Sequence, residues 1–333
     1  MKRFFSLLLC IAMLTALAAC GGSGTSSVAP ASSAPASSAP ASSAPASSAP
    51  ASSAPASSAP AEDKVKTAAM NYFKDYDSAK IMKSVADFFK AIDAGEEMFI
   101  LDVRQADAYA EGHIKGAVNM PFGSAVAEGL SLIPDDRQVY VYCYTGQTAS
   151  QVVALLNVAG KTAANVQKGY TNGISQEAGF EKYIDKVAVP TPTEKYAVEP
   201  EFQAAIDKYF ADVAAAAGTA FASFNFKAAS LKEVLDAKDG SYVVYSIRKA
   251  EDYAKGHIPT AINNPFGAGM QEKFSELPKD KTIIVQCYTG QTASQTMAIL
   301  RLLGYNAYSL HGGIGSVESK AGWLGAGYEV VIS

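Results

Sequence analysis

Two α/β modules in tandem, each a parallel sheet sandwiched by helices on both faces, are the fold class this 333-residue sequence predicts. Three observations point there. Laid on itself at an offset of 144 residues, the chain pairs Arg104 with Arg248, Tyr109 with Tyr253, Gly112-His113-Ile114 with Gly256-His257-Ile258, and Cys143 with Cys287. Within each copy, short apolar runs alternate with segments of helical period. In each copy one such run leads directly into the Cys. About half the residues are apolar and the net charge is −4, which excludes collagenous, wholly disordered and strongly basic nucleic-acid-binding classes. Four cysteines, at 10, 20, 143 and 287, are too few and too scattered for a disulfide framework or a zinc knuckle.

Residues 1–19 read as a processing signal. Lys2 and Arg3 precede an apolar run from Phe4 to Leu17, and Leu17-Ala18-Ala19 leads into Cys20. This stretch resembles a bacterial lipoprotein signal, which implies cleavage before Cys20, acylation of its thiol and attachment to a lipid bilayer from outside the cytoplasm. Residues 20–61 form the next segment. Positions 31–60 are six copies of Ala-Ser-Ser-Ala-Pro, a composition that buries too little apolar area to offset backbone ordering. Proline at every fifth residue favours extended polyproline-like backbone, so the tract reads as a semi-stiff spacer. Residues 62–190 and 191–333 are the two modules. They join where Pro190, Pro192 and Pro200 punctuate a polar run.

In the first module Phe99-Ile100-Leu101 and Val139-Tyr140-Val141-Tyr142 have the continuous apolar character of buried parallel strands. Val243-Val244-Tyr245 and Ile283-Ile284-Val285 repeat them in the second. After each Cys a Thr-Gly turn opens a helix. Its apolar face is Val152, Val153, Leu155 and Leu156 in one copy and Met297, Ile299, Leu300 and Leu303 in the other. Gly160 and Gly304 mark where these helices end. Tyr72-Phe73 and Tyr209-Phe210 precede the modules on predicted helices and read as core anchors.

The loop after each strand carries the chemistry. Cys143-Tyr144-Thr145-Gly146-Gln147-Thr148 and Cys287-Tyr288-Thr289-Gly290-Gln291-Thr292 are identical, and the identity continues through Ala-Ser-Gln. A turn from strand to helix in so few residues directs several backbone N–H groups inward around the sulfur. With the positive end of the following helix, those donors stabilise a thiolate and an anion bonded to it. Gly146 and Gly290 permit the tight backbone. The sequence therefore nominates Cys143 and Cys287 as nucleophiles.

Each module resembles a rhodanese domain, the sulfurtransferase unit. The resemblance rests on Leu101-Asp102-Val103-Arg104, Tyr109, Gly112-His113-Ile114, Gly116-Ala117-Val118-Asn119-Met120-Pro121 and the Cys143 loop in the first copy. In the second it rests on Arg248, Tyr253, Gly256-His257-Ile258, Ala261-Ile262-Asn263, Pro265, the Cys287 loop and Leu310-His311-Gly312-Gly313. It implies a persulfide on the Cys, loaded by a donor such as thiosulfate or mercaptopyruvate and passed to a thiophilic acceptor, cyanide or a thiol. The partner expected is thus a small sulfur-containing substrate, with no cofactor, no metal and no nucleic acid. Related phosphatases and arsenate reductases close a longer loop with Arg, where this chain has Ala149 and Ala293, so a phosphoryl clamp is not expected. The neutral Tyr144-Thr145 and Tyr288-Thr289 leave the donor open. Asp102 with Arg104, Arg248, His113 and His257 read as structural support. Ser246 stands opposite Asp102 and cannot pair with Arg248 as an ion pair. A Cys143-His113-Asp102 triad would lack its acid in the second copy, and one Cys and one His per module fall short of a zinc site. The alternative function is a sulfur-binding or redox-sensing lipoprotein without turnover.

Overall fold

A computed structural model describes residues 61–332, all of which fall in one compact unit. The expected signal, Cys20 and nearly all of the spacer lie outside the described residues. Among the described residues no helix is long and apolar enough to cross a membrane.

The first module runs α1 (Ala61–Asn71), α2 (Ser78–Ile81), β1 (Met82–Lys83), α3 (Val85–Asp93), β2 (Met98–Asp102), α4 (Ala106–Glu111), β3 (His113–Ile114), β4 (Val118–Asn119) and α5 (Ser124–Glu128). It continues with β5 (Gln138–Tyr142), α6 (Gln147–Val158), β6 (Thr162–Val166), α7 (Gly169–Asn172) and β7 (Ile184–Asp185). After an irregular, proline-marked crossing, the second module runs α8 (Pro200–Ala215), β8 (Asn225–Phe226), α9 (Ala228–Ala237), β9 (Tyr242–Ser246), α10 (Ala250–Ala254) and β10 (Ile262–Asn263). It ends with β11 (Thr282–Gln286), α11 (Gln291–Leu302), β12 (Ala307–Leu310) and α12 (Gly322–Gly325).

The first sheet has the order β1-β6-β5-β2-β4 and the second β8-β12-β11-β9-β10, every ladder parallel. The two orders are the same path, so the repeat seen in the sequence is a repeat of topology. In both, the strand that leads into the Cys is central.

Strand residues alternate between two cores, as the two-residue period of a strand requires. Leu101, Val139 and Val141 face one cluster with α6, while Ile100, Tyr140 and Tyr142 face another with Phe88 and Phe89 of α3. In the second module Tyr245, Ile283 and Val285 join α11, and Val244 and Ile284 join Leu231 of α9. The parallel, two-faced sheets read from the sequence are therefore present. The expected single apolar face on α6 is exceeded: Ser150, Gln151, Ala149 and Ala154 are buried along with Val152, Val153, Leu155 and Leu156. The reason is that α6 and α11 pack on each other between the two sheets, in one hydrophobic cluster that spans both modules.

The leading helices exchange partners. Phe73, which follows α1, meets Phe266 and Phe274 of the second module edge to face, at 5.6 and 5.8 Å between ring centres. Phe210 of α8 meets Phe122 of the first at 5.3 Å. The buried glutamines of the central helices are satisfied the same way. Tyr72 and Tyr76 donate to Gln295 Oε1, each at 2.9 Å, and Tyr209 donates to Gln151 Oε1 at 2.8 Å. Tyr72-Phe73 and Tyr209-Phe210 are core residues of the cluster that spans both modules, and Tyr209 also meets Phe224 of its own module edge to face at 5.2 Å.

Candidate active site

Each cysteine sits one residue past a central strand and just before a 12-residue helix. The turn is made by Gly146 at φ +84° and Gly290 at φ +88°, backbone conformations that only glycine adopts without strain. The amide of Gly146 donates to Cys143 Sγ at 3.1 Å and that of Gly290 to Cys287 Sγ at 3.0 Å. Several inward N–H groups were expected around each sulfur; one bonds it. The amides of Thr145, Gln147 and Thr148, and of Thr289, Gln291 and Thr292, bond to no protein group among the described residues. A thiol is a weak acceptor, and the loop is held instead through its carbonyls. Cys143 O and Tyr144 O accept from the amides of Tyr170 and Thr171, and Cys287 O and Tyr288 O accept from those of Ile314 and Gly315. Both cysteines are free and only 2% exposed.

The loop glutamines cross between modules. Gln147 Oε1 accepts from the Gly312 amide at 3.1 Å and its Nε2 donates to Asn225 Oδ1 at 3.2 Å. Gln291 Oε1 accepts from the Lys168 amide at 2.8 Å and from Asn165 Nδ2 at 3.1 Å. Lys168 and Gly312 are equivalent positions of the repeat, so the clasp is reciprocal. It is also tight. A Cβ on Gly146 would collide with the Gln291 side chain, and one on Gly290 with that of Gln147. Thr145 and Gln147 of one loop and Tyr288, Thr289 and Gln291 of the other, together with Lys168, line one cavity of about 600 Å³. A larger groove of about 740 Å³ lies at the far end of α11, by Arg301 and Leu303, and reaches neither sulfur.

Within the loops, Tyr144 and Tyr288 stand exposed. The Tyr144 hydroxyl accepts from the Gln105 amide at 3.3 Å. The Tyr288 hydroxyl accepts from the Lys249 amide at 3.3 Å and donates to Asp252 Oδ2 at 2.6 Å. Burial and the neighbouring Asp252 raise the pKa of Tyr288, while its hydrogen bond and Lys255 lower that of Asp252. Thr148 and Thr292 are half-buried in the first turns of their helices.

Behind the loops the modules differ. Asp102 and Arg104 form a buried ion pair at 2.6 Å, and the guanidinium stacks 3.9 Å from the Tyr170 ring. Arg248 has Ser246 in place of the acid. It donates through Nη1 to Asp252 O at 3.1 Å and through Nη2 to Gly256 O, and burial lowers its pKa. His113 is enclosed, stacked on Tyr109 at 3.7 Å, with Nδ1 2.8 Å from Tyr109 O and Nε2 3.1 Å from Val187 O. His257 stacks on Tyr253 at 3.9 Å, with Nδ1 3.1 Å from Tyr253 O. Among the described residues no group of three or more His, Cys, Asp or Glu is placed to hold a metal ion.

Sequence reasoning missed Lys168, Asn165 and Asn225. The signal available was the repeat itself, which sets Lys168 against Gly312 and so marks a charged side chain that only one module brings to the cavity. His311 was noted only as part of a motif. It borders the same cavity, and burial with nearby Lys227 lowers its pKa, which favours the neutral ring.

The model of the rhodanese-like domain matches residues 84–183 and again 228–320, together more than half of the chain. The thiosulfate sulfurtransferase GlpE of Pseudomonas entomophila (strain L48) is 31% identical over 86 residues, 26% of this chain and 70% of that protein. The tRNA sulfurtransferase of Desulfurococcus amylolyticus is 33% identical over 82 residues, 25% of this chain; the chain spans only 16% of that relative's length. The crystal structure of SseA from Escherichia coli, of the 3-mercaptopyruvate sulfotransferases, is 19% identical, covering 70% of this chain and 98% of that one with a TM-score of 0.32. With two matched copies, each placing its Cys at the end of a central parallel strand, the chain belongs to the rhodanese-like domain family.

Proposed function

We propose that this protein is a sulfurtransferase that carries sulfane sulfur as a persulfide on Cys143 and on Cys287. The observation that carries the reading is the loop geometry: a Cys at the end of the central strand, its sulfur bonded by the glycine amide, in two identical loops. In the loading step the thiolate attacks the outer sulfur of a donor such as thiosulfate. The S–S bond of the donor breaks and its electron pair leaves with sulfite. The unengaged loop amides then supply donors for the outer sulfur of the persulfide, and the helix N-terminus adds favourable potential. In the second step cyanide or a thiol attacks that outer sulfur and the thiolate is released. Lys168 gives the cavity the positive charge that Tyr144-Thr145 and Tyr288-Thr289 do not, which favours an anionic donor, thiosulfate or mercaptopyruvate.

We propose further that the chain lies outside the cytoplasm, held to a bilayer through acylated Cys20, with the Ala/Ser/Pro tract as spacer and no nucleic-acid partner. The support is the order of basic, apolar and small residues before Cys20. Cys20→Ser should move the protein from the membrane to the soluble fraction.

The test is intact mass after exposure to thiosulfate, mercaptopyruvate or polysulfide. Wild type should gain up to two sulfur atoms that cyanide removes; Cys143→Ser and Cys287→Ser should each lose one, and the double variant both. No gain with any donor, or a gain that survives the double substitution, sinks the reading. The burial of both sulfurs favours one alternative, a sulfur-binding or redox-sensing protein without turnover. Stoichiometric labelling without cyanide-dependent turnover would select it.

A further inference from the structure

We propose that the second module binds a small monovalent anion, chloride under ordinary salt conditions, in the position that the Asp102 carboxylate holds in the first. In the first module that carboxylate accepts from the Arg104 amide at 2.9 Å, from Nε at 3.0 Å and from Nη2 at 2.6 Å, and Nη2 also donates to Gly112 O at 2.8 Å. The second module repeats the frame around a different residue. Asn263 Nδ2 donates to Ser246 O and Arg248 O, both at 2.9 Å, as Asn119 does to Asp102 O and Arg104 O. The Ile247 amide donates to Gln286 O as the Val103 amide does to Tyr142 O. Arg248 Nη2 donates to Gly256 O, the counterpart of Gly112.

Inside that frame the donors that hold the carboxylate in one module are left without it in the other. Arg248 Nε and Ser246 Oγ are buried and bond to no protein group. The Arg248 amide, whose counterpart donates to Asp102, has no protein acceptor among the described residues. Arg248 is 6% exposed and Ser246 fully buried, so bulk water does not serve them. Arg248 Nη1 and Nη2 each donate to a neutral carbonyl, and the Asp252 carboxylate, which acts on Arg248 only through space, is hydrogen-bonded to the Tyr288 hydroxyl and to Lys255 at 3.1 Å. A buried guanidinium with no carboxylate bonded to it is costly. An anion against Arg248 Nε, the Arg248 amide and the Ser246 hydroxyl restores the balance that Asp102 supplies in the other module. Gln286, the cross-strand partner of Ser246, has its Oε1 buried and unpartnered while its Nε2 donates to Cys287 O. An amide oxygen repels an anion at contact, so the anion lies on the Arg248–Ser246 side. A water there would meet the hydrogen bonds and add no negative charge at Arg248 Nε.

The two are separated by exchanging chloride for gluconate at constant ionic strength and reading the Tm. Wild type should melt at a higher temperature in chloride, with a rise that saturates as a binding site does. Ser246→Asp supplies the charge covalently and should lose that rise. Crystals grown in sodium bromide should show an anomalous peak within hydrogen-bond reach of Arg248 Nε. The same chloride response in wild type and Ser246→Asp, or a water without anomalous signal at that position in bromide, overturns the proposal. Should Ser246→Asp fail to fold, the bromide peak alone decides.

Discussion

Asp102 and Ser246 occupy the same place in the two modules and set different local energetics. Asp102 neutralises a guanidinium that is nearly as buried as itself, through contacts to the amide, Nε and Nη2 of Arg104. Asp102→Ala leaves that cation enclosed and unpaired, and should cost about 3–5 kcal/mol of stability in a denaturant titration. Ser246→Ala removes a hydroxyl that bonds to no protein group and should change stability by less than about 1 kcal/mol under the same conditions. Equal losses in the two variants would contradict the asymmetry. The sequence already shows the Asp-to-Ser difference and the unpaired Arg248. It does not show that Arg248 stays buried, because that depends on the Gly256 carbonyl and the packed loop around it.

At the scale of elements, the two loops and the helices they open act as one piece. Gly290 is required twice, for its positive φ and for the space that Gln147 of the other loop fills. Gly290→Ala should destabilise the protein by roughly 1–3 kcal/mol from backbone strain alone, with the collision adding to it. Combining it with Gln147→Ala should recover the collision part and leave the strain, a difference that a double-mutant cycle measures. An additive cycle would show that the clasp does not form. The central strands, the Cys at their ends and the helix after each turn were legible because alternation, turn residues and helical period are local properties of the chain. The glutamine clasp was not, because Gln147 and Gln291 look like ordinary first-turn residues until a second module stands against them. The double burial of α6 was missed for the same reason: Ser150 and Gln151 lie off the apolar face that the sequence marks, yet both are buried and Gln151 accepts from Tyr209.

For the whole molecule, the exchange of leading helices ties the two modules together. Phe73 is fully buried against aromatic rings of the second module. Phe73→Ala should cost about 3–5 kcal/mol. Its effect should appear in amide exchange of the second-module residues around Phe266, Gly269 and Phe274, although the residue belongs to the first module. A single calorimetric transition is expected for residues 61–333, since one hydrophobic cluster runs through both halves. Two well-separated transitions, or protection lost only in the first module, would count against the exchange. A fragment 191–333 lacks Tyr72, Tyr76 and Phe73, so Gln295 loses both hydroxyl donors. Cutting the chain at the proline-marked join therefore separates the sequence repeat without separating the packing.

The order of residues alone determined that there are two copies of one α/β module, where each Cys falls in its strand-turn-helix unit, and which family that pattern resembles. These are readable because hydrophobic period, glycine placement and repetition act over a few neighbouring residues. Only the tertiary structure decided that α1 and α8 trade partners, that the two sulfur loops border one cavity with Lys168 beside it, and that Arg248 is buried without an acid. Each of these joins residues from distant parts of the chain, and their contacts follow from how two curved, packed surfaces meet, which no local pattern specifies.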